Sequence, residues 1–183
     1  MNRSVRIAFC GAAAALQIAL LFLTNLFPTA TLGLTALAGV LLMPVVIEIG
    51  MRWGWCVFGI SSVLSWILLT DKEAYLLFLL FFGYYPVLKA CVEKYISKKP
   101  LCWLVKLLAV NLAAVVDVLA VVFVLRLPIE SVFTFGIILP VLLWIGLNVV
   151  FVVYDMALSG LVMIYWQRLH PYLSKLSGRR ERF

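Results

Sequence analysis

Asp117 sits in the run Val115-Val116-Asp117-Val118-Leu119, with apolar neighbours on both sides and no cation close to it in sequence. A carboxyl in such a run must turn to a protein interior, hold a proton, or meet water or a ligand, because a bare charge in hydrocarbon is costly. Asn148 poses a milder form of the same demand, since an amide among apolar residues needs a partner. Asn25, Tyr75 and Trp144 join these two as residues able to line a pocket. Aromatic walls with a few polar groups suit a small, flat, partly polar molecule. The candidate substrate-binding set is therefore Asn25, Tyr75, Asp117, Trp144 and Asn148. Each has a structural reading beside this one. Tyr75, like Trp66, could anchor at a membrane interface, Asn148 could bond another helix, and Asp117 could be a hydrogen-bonded carboxyl of the core.

Glu48, Arg52, Lys89, Glu93 and Asp155 are further ionisable residues in or beside the apolar runs. All fall toward one end of their runs. A structural network at that rim, with Glu48 or Asp155 neutralising Lys89 or Arg52, is expected, and a gate or partner contact is the alternative. Signatures of catalysis are missing. Ala157-Leu158-Ser159-Gly160 is a poor version of a Gly-x-Ser-Gly nucleophile motif, and a serine without a base in reach is not a nucleophile. There is no His-Glu-x-x-His and no phosphate-binding glycine-lysine loop. Cys10, Cys56, Cys91 and Cys102 have no C-x-x-C spacing, and His170 is the only histidine. No catalytic residue, metal site or cofactor is expected.

The elements that position these residues are long and apolar. Of the 183 residues, 66% are hydrophobic and 13% charged, which makes a bilayer the solvent. Six segments, 7–27, 31–49, 54–69, 74–92, 103–125 and 136–165, are each near the roughly 20 residues that a helix needs to cross the hydrocarbon core. They are too long and too uniformly apolar for barrel strands. The expected fold is an all-α integral membrane protein, a bundle of six transmembrane helices over residues 1–168. A basic cytoplasmic tail follows at 169–183. The loops carry the orientation. Thirteen of the 15 Lys and Arg fall on one side of this arrangement, and only Lys72 and Arg126 on the other. That asymmetry places both termini in the cytoplasm and the chain in the cell membrane. The net charge of +7 is then the attraction of inner loops to anionic lipid, not a nucleic-acid footprint. Met1–Arg6 and the following run read as a retained first helix, because the run exceeds a signal-peptide core and no small-x-small site follows. All four cysteines fall on the reducing side, where disulfides are not expected.

Along the chain, Pro44 should kink the second helix. Glu48-Ile49-Gly50-Met51-Arg52 forms a tight inner turn, and Thr70-Asp71-Lys72-Glu73 closes the third helix outside. The sixth helix is long enough to tilt or break at Pro140. Arg126-Leu127-Pro128-Ile129-Glu130 is an outer loop. No internal repeat is present. The first helix carries the most patterned stretch, with Ala8-x3-Ala12 and Gly11-x3-Ala15-x3-Ala19 on neighbouring lines of one face. Small faces let another backbone approach closely. Such a face could pack on the protein's own helices or on a partner.

With this length, six helices, both termini inside and that small-residue face, the chain resembles the substrate-binding S component of an energy-coupling factor (ECF) transporter. The resemblance covers nearly the whole chain and is architectural more than motif-based. It implies that Ala8, Gly11, Ala12, Ala15 and Ala19 dock a coupling transmembrane subunit, which works with ATPase subunits. It also implies that the outer ends of the helices, here with Asn25, Tyr75, Asp117, Trp144 and Asn148, close over a vitamin-like micronutrient. The loop between the first two helices is short for a lid, and Asp117 has no counterpart in the family's pattern. A second reading is a non-transporting membrane scaffold of cell-shape or envelope machinery, similar in size and topology to MreD-like proteins. A third is an ion-coupled carrier acting alone, with Asp117 and Asp155 as a relay.

Overall fold

The computed structural model describes residues 3–124 and 138–169. The described residues form an all-helical bundle. Six helical segments, Arg3–Leu23, Pro28–Glu48, Met51–Leu68, Lys72–Tyr95, Lys99–Ala120 and Val141–Gln167, are long and apolar enough to cross a membrane. Their 18 to 27 residues correspond to about 27–40 Å at the rise of an α-helix. The expected outer loop at 126–130 and the tail from 170 onward lie outside the described residues.

The regular elements are α1 (Arg3–Leu23), α2 (Thr31–Val40), α3 (Leu42–Glu48), α4 (Met51–Leu68), α5 (Lys72–Leu77), α6 (Tyr85–Tyr95), α7 (Lys99–Val124) and α8 (Ile138–Ile164). A π-helical turn, Phe78–Phe82, joins α5 to α6, and another, Tyr165–Leu169, extends α8. The first helix ends four residues before its apolar run does. Thr24, Asn25 and Leu26 each donate backbone N–H to the carbonyl three residues back, and the Thr24 hydroxyl bonds the Leu21 carbonyl at 2.7 Å. These tighter bonds close the helix, and Pro28 then starts a short 3₁₀ turn, Pro28–Ala30.

Two prolines break helices by the same chemistry. Pro44 has no N–H for the Val40 carbonyl, and the second segment divides at Leu41 into α2 and α3, as its sequence position implies. Pro86 likewise has no N–H for the Phe82 carbonyl. There the helix widens instead, with Gly83 N bonding Phe78 O at 2.7 Å, five residues back. Such π turns are common at sites of function. Gly50, between α3 and α4, has φ +116°, a conformation that side chains with a Cβ rarely adopt. Asp71 caps α5 by accepting from Glu73 N at 3.0 Å and Ala74 N at 3.2 Å.

The α5–α6 segment is the most buried of the six. Met43, Phe81, Phe82, Tyr85, Val110, Phe151, Tyr154 and Leu158 form a core around it with α3, α7 and α8. Backbones approach closely where glycine allows. A Cβ at Gly39 would meet the Phe82 carbonyl oxygen, and one at Gly54 would lie 2.7 Å from Val46. On the other flank, α1 packs on α2 and α4 through Cys10, Ala14, Gln17 and Leu21. Gln17 is fully buried. Its amide donates to Ala38 O at 2.9 Å, and its oxygen accepts from the Ser61 hydroxyl at 2.8 Å. One side chain thus ties three helical segments. The four cysteines are unpaired.

Two links define the ends of the bundle. Asp71 N donates to Asn25 Oδ1 at 3.2 Å, joining the loop before α2 to the loop before α5. At the opposite end the Tyr165 hydroxyl donates to Glu48 Oε1 at 3.0 Å. The first is called here the Asp71 end and the second the Glu48 end.

Candidate functional site: a buried ionic cluster between two cavities

Tyr85, Lys89 and Glu93 follow one another at i, i+4 spacing on α6, so they share one face. Asp155 and Ser159 do the same on α8, and Lys106 comes from α7. Packing of the three helices brings these side chains together. Asp155 Oδ1 accepts from Tyr85 Oη at 2.6 Å, Lys89 Nζ at 2.5 Å and Lys106 Nζ at 3.1 Å. Glu93 Oε1 lies 2.7 Å from Lys106 Nζ and 3.2 Å from Lys89 Nζ. Lys89 also reaches the Asp155 carbonyl and the Ser159 hydroxyl, at 3.1 and 2.8 Å.

Two lysines face two carboxylates, so the cluster is neutral as a whole. The side chains of Lys89, Lys106 and Asp155 are only 5%, 4% and 5% exposed, whereas that of Glu93 is 48% exposed. Burial on that scale needs full pairing, because a lone buried charge costs several kcal/mol, roughly, even after relaxation. Lys89 has four acceptors around three N–H groups and is saturated. The break at Pro86 matters here. It starts α6 afresh at Tyr85, and that residue's hydroxyl tops the cluster.

Two cavities flank these residues. A polar one of about 580 Å³ opens beside Glu93, Ser97, Lys99, Trp103, Lys106 and Asp155. An apolar one of about 290 Å³ lies between α2, the α5–α6 segment, α7 and α8, toward the Asp71 end. Tyr85 lines the apolar cavity and Asp155 lines the polar one. Their 2.6 Å hydrogen bond therefore joins the lining of one cavity to the lining of the other.

The rim network expected from sequence contains the Asp155–Lys89 pair. Glu48 is engaged by Tyr165 instead. Lys106, Tyr85 and Gln17 were not singled out by the sequence reading. The Tyr85-x3-Lys89-x3-Glu93 spacing was the available signal for the cluster. Gln17 carried a similar one, because it faces away from the small residues of its own helix.

The five candidate pocket residues are dispersed. Asn25 bonds the Asp71 backbone. Tyr75 stacks edge-on against Trp66 with ring centres 5.0 Å apart. Asn148 pairs reciprocally with Asn111, at 3.2 and 3.4 Å, and donates to the Trp144 carbonyl at 2.9 Å. Trp144 itself is 42% exposed. Asp117 Oδ1 is buried with no hydrogen-bond partner among the described residues, and of their charged groups the Glu73 carboxylate, of the same sign, acts on it. None of the five lines either cavity. On α1, Ala8, Gly11, Ala12, Ala15 and Ala19 are all exposed. A Cβ at Gly11 would touch nothing within 4 Å. The small face is thus turned away from the described helices.

No protein-family model, no curated protein and no solved structure matches this chain.

Proposed function

We propose that this chain is the membrane-embedded, substrate-capturing subunit of an ECF-type micronutrient transporter. In this reading all six segments cross the cell membrane, and the Glu48 end, with both termini, faces the cytoplasm. The distribution of Lys and Arg supports that orientation. The observation that carries the reading is the state of α1. Its Cys10–Ala14–Gln17–Leu21 face is committed to the bundle, while its Ala8–Gly11–Ala12–Ala15–Ala19 face is covered by no other described residue to the point of burial. In lipid such a face can hold a second helix by close backbone contact. A coupling transmembrane subunit, driven by ATPase subunits, would dock there, and a small molecule would bind among the remaining helices.

The test is substitution on the docking face. Ala12→Trp or Ala15→Trp should abolish partner recovery and uptake while leaving small-molecule binding and thermal stability near wild type. If both variants still co-purify with partners and support uptake, the face is not a docking surface.

A scaffold of cell-shape or envelope machinery, MreD-like in size and topology, is the second reading. It is favoured by the amide pair Asn111–Asn148, because an amide already satisfied by another helix has no need of a ligand. Mass spectrometry of small molecules that co-purify with the protein separates the two. A scaffold would carry only lipid.

A further inference from the structure

We infer that the apolar cavity between α2, the α5–α6 segment, α7 and α8 is a binding site for a small, flat, uncharged molecule bearing one N–H or O–H donor. Five rings, Phe81, Phe82, Tyr85, Phe151 and Tyr154, line it, and among the described residues no charged side chain does. Tyr85 and Phe151 meet edge to face with centres 5.0 Å apart, and Phe82 and Tyr154 do so at 4.9 Å. Edge-to-face pairs offer both ring faces and ring edges to a third ring. A charged ligand would find no free counter-ion among the described residues, since Asp155 Oδ1 beneath the floor already accepts three bonds.

The volume sets the size. An apolar cavity of about 150 Å³ is enough for benzene, so about 290 Å³ admits a fused two-ring molecule. Tyr154 supplies the polar handle. Its hydroxyl is shared between the Ala36 and Phe82 carbonyls at 3.4 Å each, beyond the usual range for an O–H donor. Pro86 leaves the Phe82 carbonyl without its helical partner, which draws the hydroxyl there. The Tyr154 oxygen accepts from no described residue, and Tyr154 lines the cavity, so it is the acceptor that one donor on the ligand would use. Leu142 and Leu143, exposed residues of α8 at the cavity's edge, mark a lateral entrance.

The site names the class of molecule that the proposed capture subunit would take and rests on that reading for its biological use. Binding itself needs no partner. Indole and naphthalene serve as probes against the purified protein in phospholipid nanodiscs, read by the shift in melting temperature with probe concentration. Indole should give a saturable rise. Gly146 lines the cavity, and a Cβ there meets nothing within 4 Å. Gly146→Leu should therefore fill the space, keep the probe-free melting temperature at or above wild type, and weaken indole at least about tenfold. Tyr154→Phe should weaken indole about fivefold, the worth of one net hydrogen bond, and leave naphthalene unchanged. No saturable rise with wild type, or an equal rise with Gly146→Leu, overturns the site. Equal behaviour of both probes in Tyr154→Phe reduces it to a gap for lipid chains and overturns the donor requirement. If indole fails to bind while Ala12→Trp still uncouples uptake, the inference falls and the functional reading stands. If indole binds and Ala12→Trp has no effect, the reverse holds.

Discussion

Asp155 and Asp117 are both aspartates within long apolar helices, yet among the described residues one carboxylate is surrounded by donors and Oδ1 of the other has none. Asp155 accepts from a tyrosine and two lysines that three helices bring within 3.1 Å. Asp117 Oδ1 is buried without a partner among the described residues, and the charge of theirs that acts on it is another carboxylate, Glu73. The two regions show that a buried charge is held in two different ways. One is closed by the protein itself and stiffens the junction of α6, α7 and α8. The other is left open, and its cost is set against whatever use it has.

Stability measurements on purified protein in mixed micelles can break this contrast. The largest effect is expected for Asp155→Leu, which leaves Lys89 and Lys106 facing Glu93 alone. The loss should be about 3–5 kcal/mol, as for other buried pairs deprived of one partner. A variant as stable as wild type would mean that the cluster is decoration on a bundle held elsewhere. Asp117→Leu should act in the opposite direction. Removing a carboxyl whose buried Oδ1 no described residue satisfies should raise stability by about 1–3 kcal/mol. A fall of similar size would reveal a partner for Asp117 and erase the difference between the two ends. The smallest effect belongs to Asn148→Leu, which takes away the reciprocal amide pair with Asn111. Interhelical hydrogen bonds of this kind contribute about 0.6–1.7 kcal/mol, and chemical unfolding should detect a loss in that range. A larger loss would place the Asn111–Asn148 pair on a par with the ionic cluster.

Much of the fold was legible from residue types. Six apolar runs became six helical segments of membrane-crossing length, displaced by only a few residues. The division of the second segment followed from Pro44, because a missing N–H acts locally. Pro86 was harder. The same missing N–H produced a widened turn rather than a separation, since Gly83 could bond Phe78 five residues back and Tyr154, 72 positions along the chain, could reach the orphaned carbonyl. The candidate site was less legible for a related reason. Tyr75, Asn148 and Asn25 drew attention as polar or aromatic groups in apolar runs, but each found a nearby structural partner. The rings that line the apolar cavity, such as Phe151 and Phe82, look in sequence like any other hydrophobic residue.

By itself the sequence determined the number of long apolar helical segments and the distribution of cations between them, because these depend on composition and on short-range backbone chemistry. It also settled which residues share a face of one helix, as Tyr85, Lys89 and Glu93 do. Only the tertiary structure decided which faces meet. In a soluble helix an apolar stripe marks the buried side. Here nearly every side is apolar, so periodicity does not separate inside from outside. Glycine positions, shape and a few hydrogen bonds chose the neighbours instead. They brought Lys106 to Glu93 and Asp155, turned Gln17 inward, and left the alanine face of α1 uncovered.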